Sequence, residues 1–405
     1  MAPGRRTVKQ GRTGHETGAR AGSSWGEIFA APDPMIPAGL AAALPRRNTG
    51  AAPLWGCHTG EIVVTPPLHD LEAAAAQCLP APAFAYVAGG AGRERTLRAN
   101  ELAWGDHALR PRLMADMAGF STATALAGLQ LDFPCLVAPM AFQRLACAEG
   151  EAAMAQAAAA QGAGFVLSCQ TSVPPEDATV APFWFQLYLQ PDPAATRALA
   201  ARALAAGAAA LVVTVDAPLN GVRNREIAAG FRLPEGIRPV MLDALPAPAP
   251  AGIAGLLARA PVWKDLAALC AESPVPVLAK GVMTPEDATR AVQAGCAGVI
   301  VSNHGGRVLD GLPPTARVLP AIRAALPGVP MLVDGGIRSG EDMLVALALG
   351  ADAVLLGRPA FYALAIDGAA GVAACLRRLR DEFAVAMGLM GRRTLAGIGP
   401  DCLFT

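Results

Sequence analysis

The residues best suited to chemistry form one short stretch, "VIVSNHGGRVLDG" at residues 299–311, in which an aliphatic run ends in a histidine, two glycines and an arginine. Histidine changes charge near neutral pH, so it can act as a base, and the planar fork of an arginine suits a carboxylate. His304 is also the only histidine after His107. A lone histidine is more often structural, but the neighbouring Arg307 favours a base beside an acidic substrate.

Polar residues also end the other aliphatic runs. With those of the first stretch, the residues at the run ends are Ser168, Gln186, Tyr188, Thr214, Asp216, Lys280, Ser302, Asn303, Asp334 and Arg358, the last preceded by Gly357. A lysine beside an apolar run is costly unless an anion pairs with it, so Lys280 indicates a buried anion, with an ordinary rim charge as the alternative. Ser168 and Thr214 remain open to a second interpretation as helix caps, and Asp310 is expected to be a turn or helix-cap residue.

Two glycine-rich loops, "VDGGIRSGEDM" and "LLGRP", predict an anion site. Glycine frees backbone N–H groups at the start of a helix, and Arg338 or Arg358 can add a charged fork. A single GG pair is a weak signal. Two such loops on adjacent strands indicate a phosphorylated ligand.

The elements that must position these residues are short strands and helices in alternation. The aliphatic runs are "CLVAPM", "GFVLSC", "FWFQLYL", "ALVVTVD", "PVLAKG", "AGVIVSN", "PMLVDGG" and "AVLLGRP", separated mostly by helical-period stretches such as "DPAATRALAARALAAG". Continuous apolar strands of this kind predict a parallel sheet covered on both faces, and eight units favour a closed (β/α)8 TIM barrel over an open sheet. Catalytic residues of such barrels lie at the carboxyl ends of the strands, which is where the polar residues occur.

The chain before the barrel divides into two parts. Residues 1–67 are rich in Gly, Ala, Pro and Arg without a sustained period, and are expected to be a disordered extension. A short helical pattern at 70–78 opens the expected domain, residues 68–405. The extension lacks the apolar segment of a secretory signal, while a transit peptide and a misassigned start codon both remain open.

Composition narrows the classes of function. Hydrophobic residues make up 53% and charged residues 16%, which supplies a large core. Lys+Arg and Asp+Glu are equal at 33, so no excess positive charge indicates nucleic acid or an anionic membrane. Apolar stretches break before the roughly 18 residues of a membrane span. Nine cysteines without CxxC spacing predict neither a metal site nor a disulfide framework, and favour the cytoplasm.

The motifs together resemble one enzyme family. "SNHGGRVLDG", "LAKGV", "FQLY", "LVVTVDAP", "LVDGGIRSG" and "LLGRPA" are similar to those of the FMN-dependent L-2-hydroxy acid oxidases and dehydrogenases, over roughly residues 68–395. The resemblance implies FMN as cofactor and oxidation of a lactate-, glycolate- or mandelate-like acid to the 2-oxo acid. It leaves open whether oxygen or a quinone reoxidises the flavin, and whether hydride or a carbanion is involved. It also implies a homotetramer.

The resemblance assigns roles to the residues that react with the substrate. His304 is expected to be the base and Asp216 the carboxylate that pairs with its imidazole. Four further residues are expected to contact the substrate: Arg223 ("GVRNRE") and Arg307 at its carboxylate, with Tyr86 ("FAYVAGGA") and Tyr188. Without the resemblance, Tyr86 would be interpreted as a residue that only packs in the core.

For the flavin, the resemblance places Lys280 beside the N1–O2 edge of the ring. Ring contacts are expected from Ser168, Gln186, Thr214 and the segment Pro139, Met140, Ala141; ribityl contacts from Ser302 and Asp334; and phosphate contacts from Gly335, Gly336, Arg338, Gly357 and Arg358.

Three departures from the family pattern affect the substrate more than the reaction. Gln170 stands where glycolate oxidases often have tryptophan, Cys147 replaces a usual histidine, and no acidic residue directly follows Arg223. Two other classes stay open: an FMN-barrel isomerase that uses reduced flavin without net redox change, and a non-catalytic flavin-binding protein. "SNHGGR" argues against the isomerase, and the intact set of matched residues argues against the binding protein.

Overall fold

The structure, a computed structural model, describes residues 66–180, 182–243, 245 and 252–404. Residues 1–65 of the expected disordered extension therefore lie outside the described residues.

The strands of the described ranges form a hairpin and a closed barrel. They are β1 (Thr124–Leu126), β2 (Leu129–Leu131), β3 (Cys135–Val137), β4 (Gly164–Ser168), β5 (Phe183–Leu187), β6 (Ala208–Thr214), β7 (Val277–Val282), β8 (Gly298–Val301), β9 (Met331–Val333) and β10 (Ala353–Leu356). Strands β3 to β10 are parallel neighbours in chain order, and the pairing of β10 with β3 closes the ring. The predicted TIM barrel is confirmed.

Helices alternate with the barrel strands and also precede them. Those described are α1 (Leu71–Cys78), α2 (Ala81–Ala88), α3 (Arg95–Leu102), α4 (Glu151–Ala160), α5 (Pro175–Ala178), α6 (Pro193–Ala205), α7 (Asn224–Ala228), α8 (Ile253–Leu257), α9 (Trp263–Glu272), α10 (Pro285–Gln293), α11 (Thr315–Ala325), α12 (Gly340–Ala348) and α13 (Arg358–Leu389). The short helical pattern at 70–78 corresponds to α1.

Local sequence explains where several helices begin. The side chains of Asp192, Thr284 and Ser339 accept hydrogen bonds from the free backbone N–H groups at the starts of α6, α10 and α12. Proline follows directly in α6 and α10, where its missing N–H costs no hydrogen bond. These caps fix the point at which each strand-to-helix loop ends.

Strand residues alternate between two buried layers. On β8, Val299 and Val301 pack in the large core with the helices, whereas Ile300 packs in the smaller core inside the barrel. The β1–β2 hairpin closes one mouth of that inner core, where the Trp184 indole donates to the carbonyl of Ala127 at 3.0 Å. Because the hairpin lies against the strand starts, the opposite mouth, at the carboxyl ends, is the one left for a site.

Helix α13 is long and apolar enough by length and composition to cross a membrane, but two observations favour a core helix. Its most apolar window is 67% buried inside the protein. The helix is also broken at Asp367 and Gly368, whose φ angles are −149° and 54°.

Asp310 ties α3 to the loop after β8. Its carboxylate accepts hydrogen bonds of 2.9 Å from the backbone N–H groups of Thr96 and Arg93. Burial opposes ionisation of this carboxyl, but the two N–H groups and Arg95 outweigh it and lower its pKa to about 2. The expected helix-cap role is therefore observed, on a helix more than 200 residues earlier in the chain.

Replacing Asp310 by Ala is expected to lower the free energy of unfolding by about 0.5–2 kcal/mol, the usual contribution of a helix-capping side chain. Because the folded pKa lies below the ordinary carboxyl value, this contribution is present above about pH 4 and is lost as the pH falls towards 2. Urea unfolding of both proteins at pH 7 and pH 3 tests this. Asp106→Ala, at an exposed carboxylate, is the control; an equal effect of both substitutions would contradict the capping role.

Candidate active site

The imidazole of His304 is paired with a carboxylate at the mouth of the barrel. Nδ1 of His304 lies 3.0 Å from Oδ1 of Asp216, which follows β6. A carboxylate can only accept, so Nδ1 carries the hydrogen and Nε2 of the neutral ring keeps its lone pair. Oδ2 of Asp216 is buried without a hydrogen-bond partner among the described residues. The pair can take up a proton at Nε2 and balance the resulting charge.

The backbone at this histidine is left-handed over three residues. His304, Gly305 and Gly306 have φ angles of 58°, 60° and 73°. A Cβ atom on Gly306 would lie 2.6 Å from the backbone nitrogen of Leu97, so only glycine allows α3 to approach. A non-glycine residue in this conformation is strained, and such strain is typical of functional sites. The N–H of His304 donates to Ser302 Oγ at 3.0 Å, which helps to hold the turn.

Lys280 is buried in an ion pair at the same mouth. Its Nζ lies 2.8 Å from Asp334 Oδ2 and donates to Ser302 Oγ at 2.9 Å. Side-chain exposure is only 6% for Lys280 and 10% for Asp334. The second oxygen of Asp334 is buried and has no partner among the described residues. The lysine is thus paired with an anion, as predicted, and the orphaned oxygen can accept a hydrogen bond from a ligand hydroxyl.

Three polar side chains form a chain across adjacent strands. The hydroxyl of Ser168 on β4 donates to Gln186 Oε1 on β5 at 2.9 Å. The amide of Gln186 donates in turn to Thr214 Oγ1 on β6 at 3.0 Å. All three residues are buried. Their main contacts are therefore with one another, which favours a polar ring around a ligand over helix capping.

Two arginines converge on Tyr86. The guanidinium carbons of Arg307 and Arg223 lie 5.2 and 6.0 Å from the centre of the Tyr86 ring. Burial raises the pKa of the Tyr86 hydroxyl, with partial offset from Arg307, and burial lowers the pKa of Arg307 to about 10. Phe231 stacks on the other side of the tyrosine, with ring centres 4.5 Å apart. Partly buried positive charge of this kind favours a carboxylate ligand.

Each arginine is held by its own partner. Nη1 of Arg307 donates to the carbonyls of Tyr86 and Gly89 at 2.7 and 2.8 Å, which leaves its other nitrogens for a ligand. Arg223 is paired with Glu226, one turn along α7. Glu226 therefore supplies the carboxylate that the sequence lacks directly after Arg223. Tyr188, next to the end of β5, is partly buried, and burial together with the negative charge of Asp216 raises the pKa of its hydroxyl.

The residues expected at a phosphate are near one another but already have protein contacts. Arg358 donates to the carbonyls of Gly305, Val87 and Gly89 at 3.0–3.2 Å. Arg338 is paired with Glu101. Burial lowers the pKa of Arg358, and the nearby positive charge of Arg338 adds to this effect. Two cations that repel each other, Arg338 in the loop before α12 and Arg358 at the start of α13, form a setting in which an anion is stabilised.

The glycines of this region lie at close approaches. Gly335 and Gly336 have φ angles of 95° and 86°, and a Cβ on Gly336 would lie 2.0 Å from the carbonyl oxygen of Asn100. A Cβ on Gly357 would lie 3.9 Å from the sulfur of Met140, so the loops after β10 and β3 adjoin. This places Pro139, Met140 and Ala141 beside the expected anion site.

Sequence reasoning missed a buried amide pair. Asn100 and Asn303 exchange two hydrogen bonds of 2.8 Å, and Asn303 Oδ1 also accepts from the N–H of Gly306 at 3.2 Å. The pair anchors α3 to the histidine turn. Asn303 lies within the "SNHGGR" motif, but nothing near Asn100 in the sequence marks it as the partner.

The chain is similar to known proteins over most of its length. The model of a family described as FMN-dependent dehydrogenase matches residues 75–405. An L-lactate oxidase of Roseobacter sp. is 52% identical over 83% of this chain and 94% of its own, and one of Alicycliphilus denitrificans is 45% identical over 82% and 95%. A crystal structure of mandelate oxidase with benzoyl-formic acid superposes with a TM-score of 0.78, at 41% identity, over 84% of this chain and 98% of its own.

Proposed function

Since this chain belongs to the FMN-dependent dehydrogenase family and is an FMN-dependent 2-hydroxy acid oxidoreductase, we propose that it oxidises a small L-2-hydroxy acid, L-lactate first among them, to the 2-oxo acid. We propose oxygen as the electron acceptor, with hydrogen peroxide as the second product; a quinone or other carrier is the alternative. The choice of L-lactate as substrate and the choice of oxygen as acceptor are both supported by the two relatives that are named L-lactate oxidase.

The observation that carries the proposal is the pairing of His304 with Asp216 beside two partly buried arginines. In the proposed mechanism, Arg307 and Arg223 bind the substrate carboxylate and so fix the alcohol carbon near the imidazole. Nε2 of His304 takes a proton from the alcohol group of the substrate, and Asp216 stabilises the imidazolium that results. Tyr86 and Tyr188 keep water away and orient the substrate hydroxyl.

The residues present fit FMN. The orphaned oxygen of Asp334 can accept from a ribityl hydroxyl, while Arg338, just before α12, and Arg358, at the start of α13, suit its phosphate. The remaining proposed contacts are Lys280, Ser168, Gln186, Thr214 and Ser302 with the loops at Pro139, Met140, Ala141, Gly335, Gly336 and Gly357. When bound, FMN accepts the two electrons that the alcohol carbon loses.

A visible spectrum of the purified protein, recorded without oxygen, tests the proposal. We expect a flavin spectrum that L-lactate bleaches, with smaller or no effect of glycolate and L-mandelate. Rapid return of colour on readmitting air, with one peroxide per lactate, would support the oxidase. Return of colour only with a quinone would reject oxygen as acceptor, and a flavin that no hydroxy acid bleaches would reject the reaction.

Replacing Arg223 by Lys is expected to raise KM for the hydroxy acid by about 10- to 100-fold with a smaller effect on kcat. The reason is that a lysine cannot form the planar pair of charged hydrogen bonds, each of which contributes about 1.5–3 kcal/mol. Arg225→Lys is the matched control, because Arg225 lies two residues away but is paired with Glu94 and is more exposed. Equal changes in KM for the two variants would contradict the assignment of Arg223.

We also propose that residues 68–405 form the catalytic domain and residues 1–67 an extension to it. A cytoplasmic location and a homotetramer are proposed on composition and on resemblance to the family. Light scattering of the purified full chain tests the assembly.

A further inference from the structure

Two cysteine side chains that the proposed reaction does not use face each other outside the barrel. Cys270 lies on α9, Cys296 lies in the turn between α10 and β8, and their Sγ atoms are 3.8 Å apart. Both are free thiols. Moving the sulfurs together by less than about 2 Å would bring them to the length of a disulfide bond, about 2.05 Å.

The turn is built so that the two thiols come this close. Gly295, next to Cys296, has a φ of 98°, and a Cβ atom there would lie 2.9 Å from Cys270 Cβ. Any other residue would push α9 away from the turn. The backbone N–H of Cys296 donates to the carbonyl of Ala291 at 3.1 Å, so the turn itself is held to the end of α10. The approach of the two thiols is thus fixed by the backbone.

The thiols differ in a way that suits oxidation. Cys270 is partly exposed, and the hydrogen bond from Cys296 lowers its pKa. Cys296 is buried, and as the donor its pKa is raised. The thiolate is the nucleophilic form of cysteine. Cys270 is therefore the attacking thiol and Cys296 the resolving thiol.

In three other cysteines of the described residues, burial disfavours the thiolate. Cys169 and Cys375 are fully buried, and burial raises the pKa of each to about 12. Cys147 is partly buried, and its pKa is raised to about 11, again by burial. At neutral pH these groups hold far less thiolate than Cys270, because each pKa unit reduces the thiolate about tenfold.

We propose that Cys270 and Cys296 form a dithiol site that hydrogen peroxide oxidises to a reversible disulfide. The Cys270 thiolate attacks one peroxide oxygen, the O–O bond breaks, and the first water leaves with a proton from solvent, giving a sulfenic acid. The Cys296 sulfur then attacks Cys270 Sγ: the S–S bond forms, the S–O bond breaks, and the second water carries the proton of Cys296. Two thiols are oxidised and one peroxide is reduced to two waters.

The disulfide would link α9 to the turn that leads into β8, the strand that ends at His304. The proposal needs only peroxide and does not depend on oxygen being the acceptor of the enzyme. If oxygen is the acceptor, the enzyme's own product is the oxidant.

Peptide mapping of the full-length holoenzyme after treatment with added hydrogen peroxide tests the site. We expect one linked peptide pair containing Cys270 and Cys296, lighter by two hydrogens and restored by dithiothreitol. In Cys296→Ser, Cys270 should be trapped as sulfenic acid by dimedone. In Cys270→Ser, reaction at Cys296 should be slower by at least about tenfold, because its thiolate is disfavoured.

Cys147→Ser is the matched control, since its thiol is also partly exposed, and it should form the disulfide as the unchanged protein does. The proposal is overturned if Cys270 reacts no faster than Cys169 or Cys375, if Cys270 passes directly to sulfinic acid with Cys296 still present, or if Cys270 forms its disulfide with another cysteine. A rise in the melting temperature of the oxidised protein that is absent from both single variants would support the intramolecular link.

Discussion

Replacing His304 by Asn should leave FMN bound and lower kcat by about 10²- to 10⁴-fold, the usual contribution of a positioned base. Asparagine is the suitable replacement because it tolerates the left-handed backbone of this position, where φ is 58°. The substitution therefore removes the basic nitrogen without adding backbone strain. Stopped-flow measurement of flavin bleaching by L-lactate without oxygen gives the rate of the reductive step directly.

The control for this experiment is His69→Asn. The His69 side chain is 70% exposed and, among the described residues, pairs with its neighbour Asp70, so the reductive rate should not change. The unaltered flavin spectrum of His304→Asn would show that the cofactor site is intact. A reductive rate within tenfold of the unchanged protein would reject His304 as the base.

Replacing Lys280 by Met should destabilise the protein by about 3–5 kcal/mol, because Asp334 would keep a buried charge without its partner. The same change should weaken FMN binding, since it removes a positive charge from the mouth of the barrel. Thermal unfolding of the apoprotein measures the first effect, and fluorescence titration with FMN measures the second.

A double-mutant cycle separates the ion pair from simple loss of packing. Lys280→Met combined with Asp334→Asn removes both charges, so the double variant should be more stable than Lys280→Met alone. Lys264→Met, at an exposed lysine, is expected to change stability by less than about 0.5 kcal/mol. Strictly additive effects of the two substitutions would contradict the ion-pair explanation.

The Lys280–Asp334 ion pair and the His304 turn are connected through one hydroxyl group. Ser302 Oγ accepts both from Nζ of Lys280 at 2.9 Å and from the backbone N–H of His304 at 3.0 Å. Movement of the Lys280 side chain would therefore shift Ser302 and, through it, the turn that holds His304. We expect Lys280→Met to slow the reductive step even in molecules that retain FMN.

The barrel and the ring of polar residues at its mouth could both be predicted from the sequence. Strands of three to seven mainly apolar residues alternate with helical periods, and this pattern is local, because it reflects which faces of each element are buried. The carboxyl ends of parallel strands must meet at one mouth, so residues such as Thr214, Lys280 and Asp334 could be placed together from their positions in the chain alone.

Which of these residues contact one another could not be predicted and is seen only in the folded chain. The pairing of Asn100 with Asn303, the contact of Arg307 with the carbonyls of α2 and Gly89, and the pairing of Arg338 with Glu101 each join residues more than 200 positions apart. The left-handed turn at His304 likewise has no local signal beyond its two glycines. Such contacts exist because barrel closure brings α2 and α3 against the loops after β8 and β9, and local periodicity carries no information about that approach.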